Sequence, residues 1–200
     1  MSTPDRKRAW PKTSGTFDTC QTPPYALDAV LPYVPHHWAI WEPAAGDGLL
    51  VDEIQNRGYW VCGSDVDGRE FPVWDFFRSG ESVERIDCII TNPPYSVKFE
   101  WLARCYELQL PFALLMPVEM LGAAAAQELF DKHGIHVRFV SPRINFKMPR
   151  KGWDGKGAQF PTAWYCWNIP GLANGTHSFC KLDAAKIRTF HRARKEEQAA

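Results

Sequence analysis

The chain alternates between two hydrophobic rhythms. Short, nearly continuous apolar runs occur at 38–43 (WAIWEP), 59–66 (YWVCGSDV), 72–76 (PVWDF), 85–90 (RIDCII), 112–118 (FALLMPV), 135–140 (IHVRFV) and 162–169 (TAWYCWNI). Runs of that length, rich in β-branched and aromatic residues, predict strands. Between them lie segments with apolar residues at helical spacing. These are 49–57, closed by Gly58, then 98–109, and 123–133, closed by Gly134. Glycine just past the last periodic residue is a helix stop signal. A further helix is expected at 22–34, where Thr22 is placed to cap and proline to start it, with Leu27, Val30 and Leu31 on one side. Residues 182–197 read as a basic tail or helix. Strands alternating with helices predict an α/β fold, a mostly parallel seven-stranded sheet with helices on both faces. No internal repeat and no second domain is evident.

Length and composition narrow the picture. With 200 residues, 45% of them hydrophobic and 14% aromatic, one domain with a sizeable core is expected. The division is a flexible basic arm at 1–19, a folded domain at 20–180 and a basic C-terminal tail or helix at 181–200. No apolar stretch approaches the roughly 20 residues of a membrane helix, and the polar start carries no apolar core of a secretory signal. A cytoplasmic protein without membrane attachment is expected, as a monomer or weak homodimer. Six cysteines are scattered without a CxxC pair, so buried free thiols are expected rather than a metal centre.

Charge adds one hint. Net charge is zero but uneven, at +3 over residues 1–12, −10 over 13–142 and +7 over 143–200. Basic ends around an acidic middle suit an anionic partner met by those ends, although charged tails are often only solvated.

Ligands of open α/β sheets bind at the carboxyl ends of the strands. Four of these ends are unusual. The first, EPAAGDG at 42–48, places Glu42 and Pro43 before a turn of small residues, Ala44, Gly46 and Gly48. Small residues let the backbone approach a ligand closely, or make a plain glycine turn. There is no phosphate-loop signature, and Glu42 suits a cationic group such as an α-amino group. At the second, Asp65 is placed to accept ribose hydroxyls or to cap a helix. At the third, Asp75 is placed to take the amino group of an adenine ring, with Phe76 alongside, or to make a turn. The fourth is Asn92-Pro93-Pro94-Tyr95, separated only by Thr91 from the apolar run 85–90.

Taken in order, Glu42, Asp65, Asp75 and Asn92-Pro93-Pro94-Tyr95 resemble the class I S-adenosylmethionine-dependent methyltransferases. More narrowly they resemble the enzymes of the NPPY type that act on adenine N6 in the DNA of bacteria and phages. The resemblance spans about Thr22 to Ile169 and implies a single Rossmann-like domain. It implies S-adenosylmethionine as cofactor, held by the strand ends, with Thr22, Pro23 and Tyr25 folding over its methionine end. The Asn92 side-chain oxygen and the Pro93 carbonyl are implied to accept hydrogen bonds from the target amine, with Tyr95 stacked on a flipped base. Asn92 also borders the cofactor. Phe160 is implied as a second aromatic against the base, with Trp153 as a rival. A cytosine-C5 enzyme would need a Pro-Cys dipeptide, and none occurs.

The segment 141–161 carries Arg143, Lys147, Arg150, Lys151 and Lys156 and is expected to be the substrate-recognition loop, meeting nucleic-acid phosphates. This holds provided that the preceding strand, 135–140, points the same way as its neighbours. NPPY is also shared by enzymes acting on adenine in RNA and on glutamine amides in proteins. A cofactor-binding protein without catalysis is the remaining alternative.

Overall fold

The computed structural model describes residues 20–68, 70–78, 85–146 and 160–199, with the backbone alone for 194, 195 and 197–199. Among these residues, seven strands form one sheet. They are β1 (Ala39–Glu42), β2 (Trp60–Gly63), β3 (Cys88–Thr91), β4 (Phe112–Pro117), β5 (His136–Ser141), β6 (Thr162–Trp167) and β7 (His177–Lys181). Their order is β2-β1-β3-β4-β6-β5-β7. Every neighbouring pair is parallel except those made by β6, which runs antiparallel to both β4 and β5. β3, β4 and β6 are buried along their whole length, as central strands covered on both faces must be.

Helices cover both faces. On one lie α1 (Leu49–Asn56), two 3-10 segments at Pro24–Ala29 and Leu31–Tyr33, and α4 (Ala184–Ala199). Leu27, Leu50 and Ile54 pack there with Ile40, Ile90, Leu115 and Trp164, and α4 adds Ile187 and Phe190. On the other lie α2 (Lys98–Leu108) and α3 (Ala124–His133). Trp101, Leu102, Cys105 and Ala126 pack there against Trp41, Ile89, Phe112, Leu114 and Tyr165. Each large apolar side chain so buried contributes about 1.5–3 kcal/mol. The polar tips of three large rings are satisfied. Trp41 Nε1 donates to Ser64 Oγ at 2.9 Å, Trp164 Nε1 to the Ala26 carbonyl at 3.0 Å, and Tyr165 Oη to the Pro117 carbonyl at 3.0 Å.

Three elements differ from expectation. Residues 24–33 form 3-10 turns rather than an α-helix, and the first is preceded by Pro23 with no side-chain cap, so Thr22 does not cap it. Pro24 and Pro32 sit in the first turns of these pieces, where proline's missing N–H costs least, and they keep the pieces short. Residues 72–76 form no strand. They make only a parallel bridge between Val73 and Asp65 before turning at Asp75–Arg78, because Pro72 has no N–H for a ladder. The seventh strand is instead β7, a segment not expected to be a strand, and its large apolar residue takes the outward phase. His177, Phe179 and Lys181 face outward, and Phe179 is 76% exposed while stacking on Phe139.

Candidate active site

The sheet brings the carboxyl ends of β1, β2, β3, β4 and β5 to one edge, and β6 begins there because it runs the other way. The direction of β5 therefore sends the segment after Ser141 to that edge, the condition on which its role in recognition depends. Pro117, the last residue of β4, pairs with Thr162, the first of β6.

The glycine turn after β1 is knit to its surroundings by its own N–H groups. The Ala44 N–H donates to Glu42 Oε1 at 3.0 Å, Gly46 to Asp65 Oδ2 at 2.9 Å, and Asp47 to Gln21 Oε1 at 3.1 Å. The Ala45 N–H reaches the Ser64 carbonyl at 3.0 Å. Gly46 and Gly48 have φ of +54° and +84°, a region that costs other residues energy. A Cβ at Gly46 would also run into the Gln21 side-chain amide. Asp65 Oδ1 takes the Asp67 N–H at 2.9 Å, so each of its oxygens holds one donor and keeps lone pairs for more.

Glu42 is 1% exposed. Burial pushes its pKa up to about 8, only partly offset by the nearby Thr91 hydroxyl and the Ala44 N–H; the charge of Asp65 pushes it further up. Among the described residues, its Oε2, the Thr91 Oγ1 close to it and the Asn92 Oδ1 are buried without a hydrogen bond of good geometry, although the Thr91 hydroxyl is near enough to act on the Glu42 charge. Buried polar atoms without partners are rare and call for an explanation. Here three of them sit where β1 and β3 end.

Asn92, Pro93 and Pro94 follow Thr91, the fully buried end of β3, and lead through a 3-10 turn at Tyr95–Val97 into α2. Pro94 is extended, with φ −61° and ψ 125°, which its ring favours. Tyr95 is half-buried, and its hydroxyl is buried without a hydrogen bond among the described residues. Burial, with Cys20 nearby, holds that hydroxyl well above its ordinary pKa, so it stays protonated. Among the described residues two rings flank it, Phe160 at 5.6 Å and Phe146 at 6.4 Å. Lys98 Nζ lies 3.5 Å from the Tyr95 carbonyl and 3.9 Å from Glu119 Oε1.

The structure thus gathers Glu42, Pro43, Ala44, Gly46, Gly48, Asp65, Asn92, Pro93, Pro94, Tyr95 and Phe160 at one edge. Some of the remaining residues are engaged by the protein itself. Phe76 is a core residue, stacked on Trp101 at 3.9 Å and 9° and packed on Trp41, so its ring is engaged by the protein itself. Asp75 does not end a strand. Its Oδ1 accepts the Phe77 N–H at 3.0 Å and its Oδ2 pairs with Arg78 at 3.3 Å, as a turn aspartate does. Thr22 is buried. Tyr25 is turned into the core, its ring 5.7 Å from Phe190 and its hydroxyl accepting the Asn145 N–H at 3.4 Å, which spends it on packing rather than on covering a ligand. Arg143 is exposed. Lys147, Arg150, Lys151, Trp153 and Lys156 lie outside the described residues, as does the arm at 1–19. Gln21, Lys98 and Phe146 join the edge without a signal in the sequence. Gln21 and Phe146 contact residues far away in the chain, which no local pattern marks.

No family model matches the chain, and no curated protein does. Among solved structures, a protein described as a predicted O-methyltransferase from Agrobacterium tumefaciens overlays with a TM-score of 0.52 at 12% identity, over 86% of this chain and 96% of that one. The likeness is one of fold. A precorrin-6y C5,15-methyltransferase from Geobacter metallireducens overlays with a TM-score of 0.40 at 12% identity, covering 67% of this chain and 82% of its own. Human methyltransferase-like protein 13 in complex with SAH overlays with a TM-score of 0.45 at 13% identity, covering 88% and 92%. Both overlays are too loose to argue from.

Proposed function

We propose that this protein transfers a methyl group from S-adenosylmethionine to the exocyclic N6 amine of adenine in DNA. The observation that carries the reading is Asn92-Pro93-Pro94-Tyr95 at the carboxyl end of β3, with Asn92 Oδ1 buried and unpartnered and Tyr95 beside it, flanked by two rings. An aromatic amine is a poor nucleophile because its lone pair is delocalised into the ring. Asn92 Oδ1 and the Pro93 carbonyl, accepting from its two N–H bonds, favour the tetrahedral nitrogen that develops positive charge. Such acceptors act mainly in the transition state. Tyr95 offers a flat face to a base taken out of the stack.

The strand ends fit the cofactor. Glu42 Oε2 lacks a partner, and a cationic amino group would both supply one and return this carboxyl to its charged form. The turn at Gly46 and Gly48 presents backbone without side chains of its own, with the Gln21 amide over Gly46 and the Phe71 ring over Gly48, and Asp65 retains lone pairs for ribose hydroxyls. When bound, S-adenosylmethionine supplies a methyl group already activated by its sulfonium. The chain's own part is positioning, which is worth up to roughly 10 kcal/mol in well-aligned transfers. Arg143, and the lysines and arginine that follow it, supply cations for phosphate on this reading.

The test is label transfer from the cofactor to an adenine-containing duplex, compared with the same duplex in which purine lacking the 6-amino group replaces adenine. Label is expected only in the first. Equal label in adenine-free DNA would overturn the reading.

A further inference from the structure

Two rings grip Tyr95, and the one that no motif marks is the better anchored. Phe146 stands nearly perpendicular to Tyr95, at 87° and 6.4 Å, while Phe160 is tilted at 57° and 5.6 Å. Phe146 is buried in the first-face core together with Ile144. Between them, the Asn145 N–H meets the Tyr25 hydroxyl at 3.4 Å, and Tyr25 is itself packed edge-on to Phe190 of α4. Among the described residues, the hydroxyl of Tyr95 has no hydrogen-bond partner that would orient the ring. The plane of Tyr95 is therefore set by the rings around it, and Phe146 is the one held by the core.

We infer that Phe146 is a positioning residue for the acceptor base. It fixes the plane of Tyr95 so that a flat base meets a ready stacking surface, and so selects aromatic acceptors without touching the reacting atoms. Phe160, half-buried beside it, borders the same space. The inference rests on the function proposed above, in which Tyr95 stacks on adenine.

The test uses the full chain and three proteins, wild type, Phe146→Leu and Phe146→Tyr. Leucine keeps the buried apolar bulk but removes the ring, and tyrosine restores a ring. Each is measured for affinity toward S-adenosylmethionine, for KM and kcat with an adenine oligonucleotide, and for the fluorescence of 2-aminopurine placed at the acceptor position. With leucine, KM for the oligonucleotide is expected to rise about fivefold to tenfold, the size of one aromatic pair. The 2-aminopurine quenching that stacking produces is expected to weaken, cofactor affinity to stay within about twofold, and tyrosine to recover both oligonucleotide readouts. Wild-type KM and fluorescence in Phe146→Leu would overturn the inference. So would a parallel loss of cofactor affinity, which marks a merely structural role. A wild type that methylates no adenine would end the functional reading, and the inference with it, before any variant is compared.

Discussion

Replacing Glu42 with glutamine is expected to stabilise the ligand-free protein, and only above mildly acidic pH. The carboxyl is buried, and its pKa stands at about 8 instead of the ordinary 4.5. The folded chain thus keeps a proton that the unfolded chain releases. Stability contributed by Glu42 is therefore unaffected below about pH 4.5, falls as pH rises toward 8, and is flat beyond. At 1.36 kcal/mol per pH decade the full penalty is at most roughly 5 kcal/mol. Glutamine keeps the oxygen that accepts the Ala44 N–H and cannot ionise. Urea unfolding of both proteins at pH 5 and pH 9 measures the effect. The two are expected to be nearly equal at pH 5 and to differ by several kcal/mol at pH 9, with glutamine the more stable. The same difference at both pH values would show that Glu42 ionises normally and would refute the reasoning. On the proposed function, the stabilised variant also loses cofactor affinity, a trade common at binding sites.

Other substitutions separate the roles along the edge. Asn92→Ala is expected to lower kcat by about 10²–10³ with cofactor affinity intact by calorimetry, whereas Asp65→Ala weakens cofactor binding first; equal losses of affinity would break that division. Gly46→Ala meets both a positive φ and the Gln21 amide, so a loss of about 1–2 kcal/mol in chemical unfolding is expected, and an unchanged stability would argue against this turn geometry. Neutralising Arg143, Lys147, Arg150 and Lys151 together is expected to flatten the salt dependence of DNA binding by about 0.7–0.9 in log–log slope for each phosphate no longer paired with a cation; an unchanged slope would place the phosphates elsewhere.

The central strands and the acceptor motif are legible in the sequence because their signals are local. Ile89–Ile90 and Phe112–Met116 are apolar on both faces, which only a buried strand tolerates. Two prolines after β3 stand out because they remove backbone donors. The run 72–76 imitates a strand, yet only Val73 bridges to Asp65 before the chain turns at Asp75–Arg78. β7 escapes the pattern because its one large apolar residue, Phe179, takes the outward phase. Phe146 and Gln21 are invisible in the sequence because their meaning depends on Tyr95 and on the Gly46 turn, which only the folded sheet brings near.

The most direct measurement offers labelled S-adenosylmethionine in parallel to unmethylated duplex DNA, single-stranded DNA, total RNA and a protein extract, and then resolves the labelled products. Label in N6-methyladenine recovered from DNA is the expected result. Label only in RNA or in glutamine side chains would contradict the DNA substrate while keeping the site chemistry. No label in any of them, with the cofactor bound, would contradict catalysis itself.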